Sequence, residues 1–233
     1  MKKLLFSLLA SAGLVGGSPA YADELLHEGF EGVGLPSGWL VANYSAHAAA
    51  EAWFRPALSA EPFAANDGSP DSYIATSVFV GATDANGSPA GRIDAILATP
   101  EVAMDTETTF AFSTRTVADN AFGDSLRIGA IVAGSFVELA TINPTFAPGG
   151  YPDAWTTFQV ALPAQGDGAF GRYFLEYTVP DASVEGNFIG VDSVSISAVP
   201  EPAPAVLMAL AGLAFLAQRR RSASSSQASE QRS

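Results

Sequence analysis

The sequence predicts an all-β protein, a two-sheet antiparallel sandwich set between a secretory leader and a short apolar C-terminal segment. Three observations predict it. Between Asp23 and Ala198, apolar residues alternate with a period of two, as in Phe110/Phe112, Phe158/Val160/Leu162 and Tyr173/Leu175/Tyr177/Val179. Clusters such as Asn66-Asp67-Gly68, Asn86-Gly87 and Pro148-Gly149-Gly150 punctuate these runs as turns do. No long stretch carries an apolar stripe at helical spacing; Ala46–Trp53 comes nearest, with room for one or two turns. Strands without alternating helices stack as two antiparallel sheets. No repeat is visible, which disfavours a solenoid or propeller.

The elements follow in chain order. Met1–Ala22 reads as a signal peptide: Lys2 and Lys3 are the basic start, Leu4–Val15 the apolar stretch, and Ala20-Tyr21-Ala22 the small-x-small cleavage site. Signal peptidase and the Sec machinery are the implied partners, and the mature chain begins at Asp23. Candidate strands are Leu25–Glu31, Trp39–Tyr44, Ser72–Val80, Ala95–Thr99, Thr108–Arg115, Ser125–Val132, Ser135–Ile142, Trp155–Leu162, Gly171–Val179 and Asn187–Ser197. After Val199-Pro200-Glu201-Pro202 an uncharged apolar run, Ala205–Ala217, leads into Arg219, Arg220 and Arg221. That run falls short of the roughly 20 residues of a comfortable span, and its arginines hold the C-terminus on the cytoplasmic side. Two prolines flanking Glu201 keep the strip before it extended, as a protease requires. Ser222–Ser233 has the composition of a disordered tail.

Charge and residue usage exclude several functions. Asp23–Ala198 holds no Lys and five Arg against 22 acidic residues, a balance of −17. Such a surface repels nucleic acid and anionic polysaccharide, since phosphate binding needs clustered Lys or Arg. The chain has no Cys, so disulfides, thiolate nucleophiles and Cys-ligated metals are excluded. His27 and His47 are its only histidines. His27 has the solvent-facing parity of the first strand, no Gly-x-Ser-x-Gly elbow accompanies either residue, and their spacing suits neither a triad nor zinc. The sequence therefore marks no catalytic residue and reads as a non-enzyme; among its many carboxylates nothing singles out a hydrolytic pair. Trp39, Trp53 and Trp155 read either as a sugar-stacking platform or as core plugs and strand-end caps.

Three carboxylates stand out. Glu28 shares parity with Leu26 and Phe30, and Asp192 with Phe188, Val194 and Ile196, so both point toward the apolar side of their strands. A buried carboxylate needs a partner. With so few cations in the domain, the partner is calcium, which takes oxygen ligands, or an Arg or backbone amides at the rim. Glu31 is a third candidate ligand.

Two resemblances add to this reading. Glu28-Gly29-Phe30-Glu31-Gly32, Leu35-Pro36-Ser37-Gly38-Trp39, Trp53-Phe54, Gly68-Ser69, Ser72-Tyr73-Ile74-Ala75, Leu97-Ala98-Thr99-Pro100, Thr109–Arg115, Trp155 and Ile189–Ile196 follow one another as in choice-of-anchor J domains, relatives of cleaved-adhesin domains. The resemblance implies a jelly-roll sandwich over residues 23–198 with an adhesive or carbohydrate-binding role. It also implies a structural calcium joining first and last strands at Glu28 and Asp192. Ala46–Ala52 and the loop Phe146–Ala154 depart from the pattern. The segment 199–221 resembles a PEP-CTERM sorting signal, with the motif Val199-Pro200-Glu201-Pro202, a single transmembrane helix and the cluster Arg219–Arg221. That implies processing by an exosortase, transient residence in the inner membrane and delivery to the cell surface or an exopolysaccharide matrix. The expectation is an exported, non-catalytic adhesin-like or glycan-binding sandwich; the alternative is a secreted hydrolase of exopolysaccharide.

Overall fold

The structure is a computed structural model that describes residues 22–46, 51–56 and 62–199. Among these the elements are β1 (Asp23–Glu28), β2 (Leu40–Asn43), β3 (Ile74–Ser77), β4 (Ala82–Thr83), β5 (Pro89–Ala90), β6 (Ile93–Ala98), β7 (Val102–Ala103), β8 (Thr108–Thr116), β9 (Ser125–Val132), β10 (Ser135–Ile142), β11 (Thr156–Leu162), β12 (Phe170–Val179) and β13 (Phe188–Ala198). A 3-10 turn, Val78–Val80, follows β3, with the Ser77 hydroxyl accepting from the Phe79 amide.

The first sheet runs β1-β13-β8-β11, with β3 also on β13. The second runs β10-β9-β12-β6-β2, with β7 on β12, and β4-β5 forms a small ribbon. All pairings are antiparallel, as in a jelly-roll-like sandwich. The alternation read from the sequence decides the layering. Phe110, Phe112, Ile189, Val191, Val194 and Ile196 face inward from the first sheet; Leu97, Leu126, Ile128, Tyr173, Leu175 and Tyr177 face them from the second. Phe110 stacks on Tyr173 at 4.6 Å between ring centroids. Truncating such a ring leaves a cavity costing about 3–5 kcal/mol.

Core tyrosines bring hydroxyls into this apolar layer, and each finds a partner. Tyr173 meets Thr108 at 2.7 Å, Tyr151 meets Thr114 at 2.6 Å, and Tyr177 donates to Asp124 Oδ1 at 2.7 Å. Asp124 is fully buried. It also accepts from the Asn187 amide (2.7 Å), Thr116 (2.9 Å) and Asn120 (2.7 Å). Four donors without a cation satisfy this carboxylate and tie β8, β12 and the start of β13 together.

The last strand departs from the sequence expectation. Register with β8 shifts between Asp192 and Ser195, and Ser193 has φ 52. A bulge inserts a residue and reverses the parity beyond it. Ile189 and Val191 face the core before the bulge, Val194 and Ile196 after it. Asp192 therefore does not share a face with Val194 and Ile196. The segment Ala46–Trp53 is described only in part; it leads into Phe54, which bridges to Ala75.

Candidate functional site

Two arrangements of polar residues stand outside the core. The first gathers the carboxylates singled out in the sequence. On one edge of β13, β3 pairs with residues 188–191 and β1 with residues 194–198. Asp192 lies in the gap between these partners. Glu28, at the end of β1, sits opposite Val194. The loop 62–73 closes over the gap. Asp192 Oδ2 accepts from the amides of Asn66 (2.8 Å) and Asp67 (3.1 Å), and Oδ1 from the Ser193 amide. Burial raises the Asp192 carboxyl above its ordinary value, against the pull of these amides. Glu31 Oε2 accepts from Ser72 Oγ at 2.6 Å. Its other oxygen lies over Gly68, 1.6 Å from where a Cβ would stand, so φ +78 and the lack of a side chain are both required there. Glu28 Oε1 accepts from the Phe30 amide at 2.7 Å. Arg55 is spent on Asp71, at 3.1 Å.

Asp192 and Glu31 are thus held by donors of loop 62–73, and Glu28 by the Phe30 amide. The Gly68 cradle keeps the Glu31 oxygen against that loop. As the side chains stand, no group of three or more Asp, Glu or His among the described residues is close enough to hold a metal. Backbone amides, one of the partners the sequence left open, are what Asp192 has.

The second arrangement was not anticipated. It is the outer face of the β10-β9-β12-β6-β2 sheet, and the register aligns it in rows. One row is Leu40, Ala98, Phe174, Gly129 and Glu138; the next is Ala42, Ile96, Glu176, Arg127 and Thr141. Leu40, Tyr44 and Phe136 are 53%, 63% and 64% exposed. With Ile96, Ala98 and Ile131 they line an apolar groove of about 120 Å³. Phe174 supports it, lying where a Cβ on Gly129 would collide at 2.4 Å and meeting Phe136 edge-on at 5.5 Å. Beside the groove, Arg127 donates to Glu138 (2.9 Å) and Glu176, and Arg92 meets Asp94 at 2.7 Å. The hydrogen bonds from Arg127 and Thr141 hold the Glu138 carboxyl below its ordinary value. Arg92 and Arg127, with Phe146, Thr178 and Pro180, border a second cavity of about 300 Å³.

The remaining sequence candidates divide plainly. Trp39 and Trp53 are buried and the Trp53 indole donates to Ala95 O at 3.1 Å, so they are core plugs. Trp155 is half-buried against Phe63 and Tyr73 and donates to Ala64 O at 2.8 Å. His27 faces solvent beside Glu24, as its parity implied. Ala22 is exposed, and the Val199 amide bonds Glu107 O at 2.7 Å. Ala20, His47, Pro200, Glu201, Pro202, the apolar run and Arg219–Arg221 lie outside the described residues.

No family model matches the chain, and no curated protein matches it. Solved structures do. The K3 cleaved adhesin domain of Lys-gingipain from Porphyromonas gingivalis W83 aligns with TM-score 0.51 and 20% identity, covering 76% of this chain and 99% of that one. The K1 domain of the same protein aligns with TM-score 0.50 and 18% identity over 75% and 98%. A cyclase from Fischerella sp. TAU aligns with TM-score 0.50 and 14% identity over 78% and 100%. The chain shares the adhesin-domain fold, and that fold also carries an enzyme.

Proposed function

We propose that this is an exported, non-catalytic surface or matrix protein whose outer β10-β9-β12-β6-β2 face binds a glycan. One observation carries the reading: an exposed groove of Tyr44, Leu40 and Phe136 adjoins the exposed polar side chains Arg127, Glu138 and Arg92 on one sheet face. Pyranose rings present an apolar C–H face to aromatic side chains and hydroxyl edges to planar charged groups, and this face offers both side by side. The acidic balance of the domain favours a neutral or cationic glycan over an anionic one. The fold shared with adhesin domains fits the role. The leader ending Ala20-Tyr21-Ala22 supports Sec export, and Val199–Pro202 with Arg219–Arg221 supports sorting by an exosortase after transient residence in the inner membrane.

A hydrolase would find an acid pair in Asp94 and Glu176, but both are buried and each is held by an arginine, leaving no room for a sugar between them. Glycoside hydrolysis needs carboxyls about 5–9.5 Å apart with the sugar between them. The binding reading is therefore preferred.

The proposal includes a structural calcium ion at the junction of Glu28, Glu31 and Asp192. Oxygen-only donors and the engagement of Arg55 elsewhere support it. Binding requires Glu28 and Glu31 to turn their free oxygens toward Asp192; the ion would then fasten loop 62–73 to the first and last strands.

The test is a panel of immobilised neutral and amino-sugar oligosaccharides. Binding that falls about fivefold to tenfold in both Tyr44→Ala and Phe136→Ala is expected from the loss of one stacked ring each. Binding that both variants retain in full refutes the assignment of the face.

A further inference from the structure

Beneath the outer face lies a pair of buried acidic side chains. Asp94 and Glu176 are 6% and 8% exposed, on the neighbouring strands β6 and β12. Asp94 Oδ2 meets Arg92, and Glu176 Oε2 meets Arg127. Asp94 Oδ1 is buried and takes no hydrogen bond from any donor among the described residues. An orphaned, buried carboxylate oxygen is costly, and such groups in folded proteins ordinarily have a partner. The Glu176 carboxyl is the diagonal neighbour of Asp94 on the same sheet face, since Asp94 pairs with Thr178 and Glu176 with Ile96. Two carboxylates in contact do not both ionise cheaply, whereas one proton held between them turns the repulsion into a hydrogen bond. That proton supplies the donor Asp94 Oδ1 lacks.

The surroundings agree. Burial first, then the hydrogen bond and charge of Asp94, push Glu176 up to about 7, against Arg127 and Arg92. Among the described residues, the charged groups facing the pair are Arg127 from β9, Arg92 ahead of β6, and Glu138 from β10, which is joined to Glu176 through Arg127. On β12 itself, Arg172 turns away to Gly38 O, Thr99 O and Glu101.

We propose that Asp94 and Glu176 share one proton, taken from solvent, and that this proton governs ligand binding at the outer face. With the proton in place, the pair carries a single negative charge and holds both guanidiniums at the edge of the groove. Once it leaves, the carboxylates separate and draw Arg92 and Arg127 with them, so the face loses the donors it presents. Binding is tighter on the acid side. The gating part rests on the glycan reading of the face; the shared proton does not.

Two measurements on the same protein keep these apart. The first follows the Glu176 side-chain carboxyl carbon by NMR across pH. An inflection near 7 is expected in the wild type, falling toward the ordinary carboxylate range in Asp94→Asn. An inflection in that ordinary range in the wild type overturns the proposal, whatever the binding data show. The second measures binding to immobilised neutral glucose and galactose oligosaccharides from about pH 5.5 to 8.5. Affinity is expected to fall about tenfold for each unit by which the ligand raises the Glu176 pKa. Glu176→Gln, whose amide donates permanently to Asp94, is expected to flatten that profile. A wild-type profile as flat as that of Glu176→Gln overturns the gating and leaves the glycan reading standing. No binding at any pH sinks the glycan reading and the gating together, and the NMR inflection alone then decides the shared proton.

Discussion

Replacing Asp192 by Ala tests the junction where first strand, last strand and covering loop meet. The carboxylate accepts from the amides of Asn66, Asp67 and Ser193. Hydrogen bonds to a charged acceptor contribute about 1.5–3 kcal/mol each, but the two loop amides can turn to water once released. Only the Ser193 amide, inside the bulge, stays trapped. The expected cost is about 1.5–3 kcal/mol, that of the one hydrogen bond to a charged acceptor whose donor cannot reach water. For a domain of this size each kcal/mol lowers the melting temperature by about 2–4 °C, so a fall of roughly 3–12 °C is expected. Differential scanning calorimetry measures it, and limited proteolysis should report faster cutting within residues 62–73. Chelator separates the two ways of holding the junction: with calcium bound, it lowers the wild-type melting temperature and leaves Asp192→Ala unchanged. A wild type indifferent to chelator rejects the ion and leaves the amide clasp. An Asp192→Ala protein melting within about 2 °C of the wild type refutes the clasp itself.

Other consequences are as specific. Asp124→Ala strips the acceptor from Tyr177, Thr116, Asn120 and Asn187, and should cost at least about 3 kcal/mol in urea unfolding, or abolish folding. Gly68→Ala forces a Cβ onto Glu31 at positive φ and should cost about 1–3 kcal/mol, visible as a lower melting temperature. Glu176, raised to about 7, binds its proton more tightly folded than unfolded. Its stabilisation is fully present below the unfolded value of 4.5 and is lost as pH rises through 7. Unfolding free energies should therefore fall across that window by up to about 3 kcal/mol in the wild type, and much less in Glu176→Gln.

The sandwich was legible because its signal is local. Tyr173, Leu175 and Tyr177 alternate on one strand, and Asn66-Asp67-Gly68 announces a turn, whatever the rest of the chain does. The short strands β4, β5 and β7 escaped notice since two residues carry no period. Asp192 was rightly singled out for burial but on a false premise: parity counting assumes an unbroken strand, and no residue type announces the bulge at Ser193. The outer face was missed for a different reason. Its rows join Leu40 to Glu138 through three intervening strands, a juxtaposition that only the register reveals. One signal was present. Phe174 and Glu176 alternate with Tyr173, Leu175 and Tyr177, so β12 carries large or charged groups on both faces, as a strand covered on one side and functional on the other would.

The most direct measurement is calorimetric titration of the protein with the oligosaccharide that binds best on the glycan panel, repeated with Tyr44→Ala and Phe136→Ala. Both substituted residues are exposed, so the folded melting temperature should hold while affinity drops about fivefold to tenfold in each. Undiminished affinity in both variants, at unchanged melting temperature, would contradict the claim that the outer face of the β10-β9-β12-β6-β2 sheet is where this protein meets its ligand.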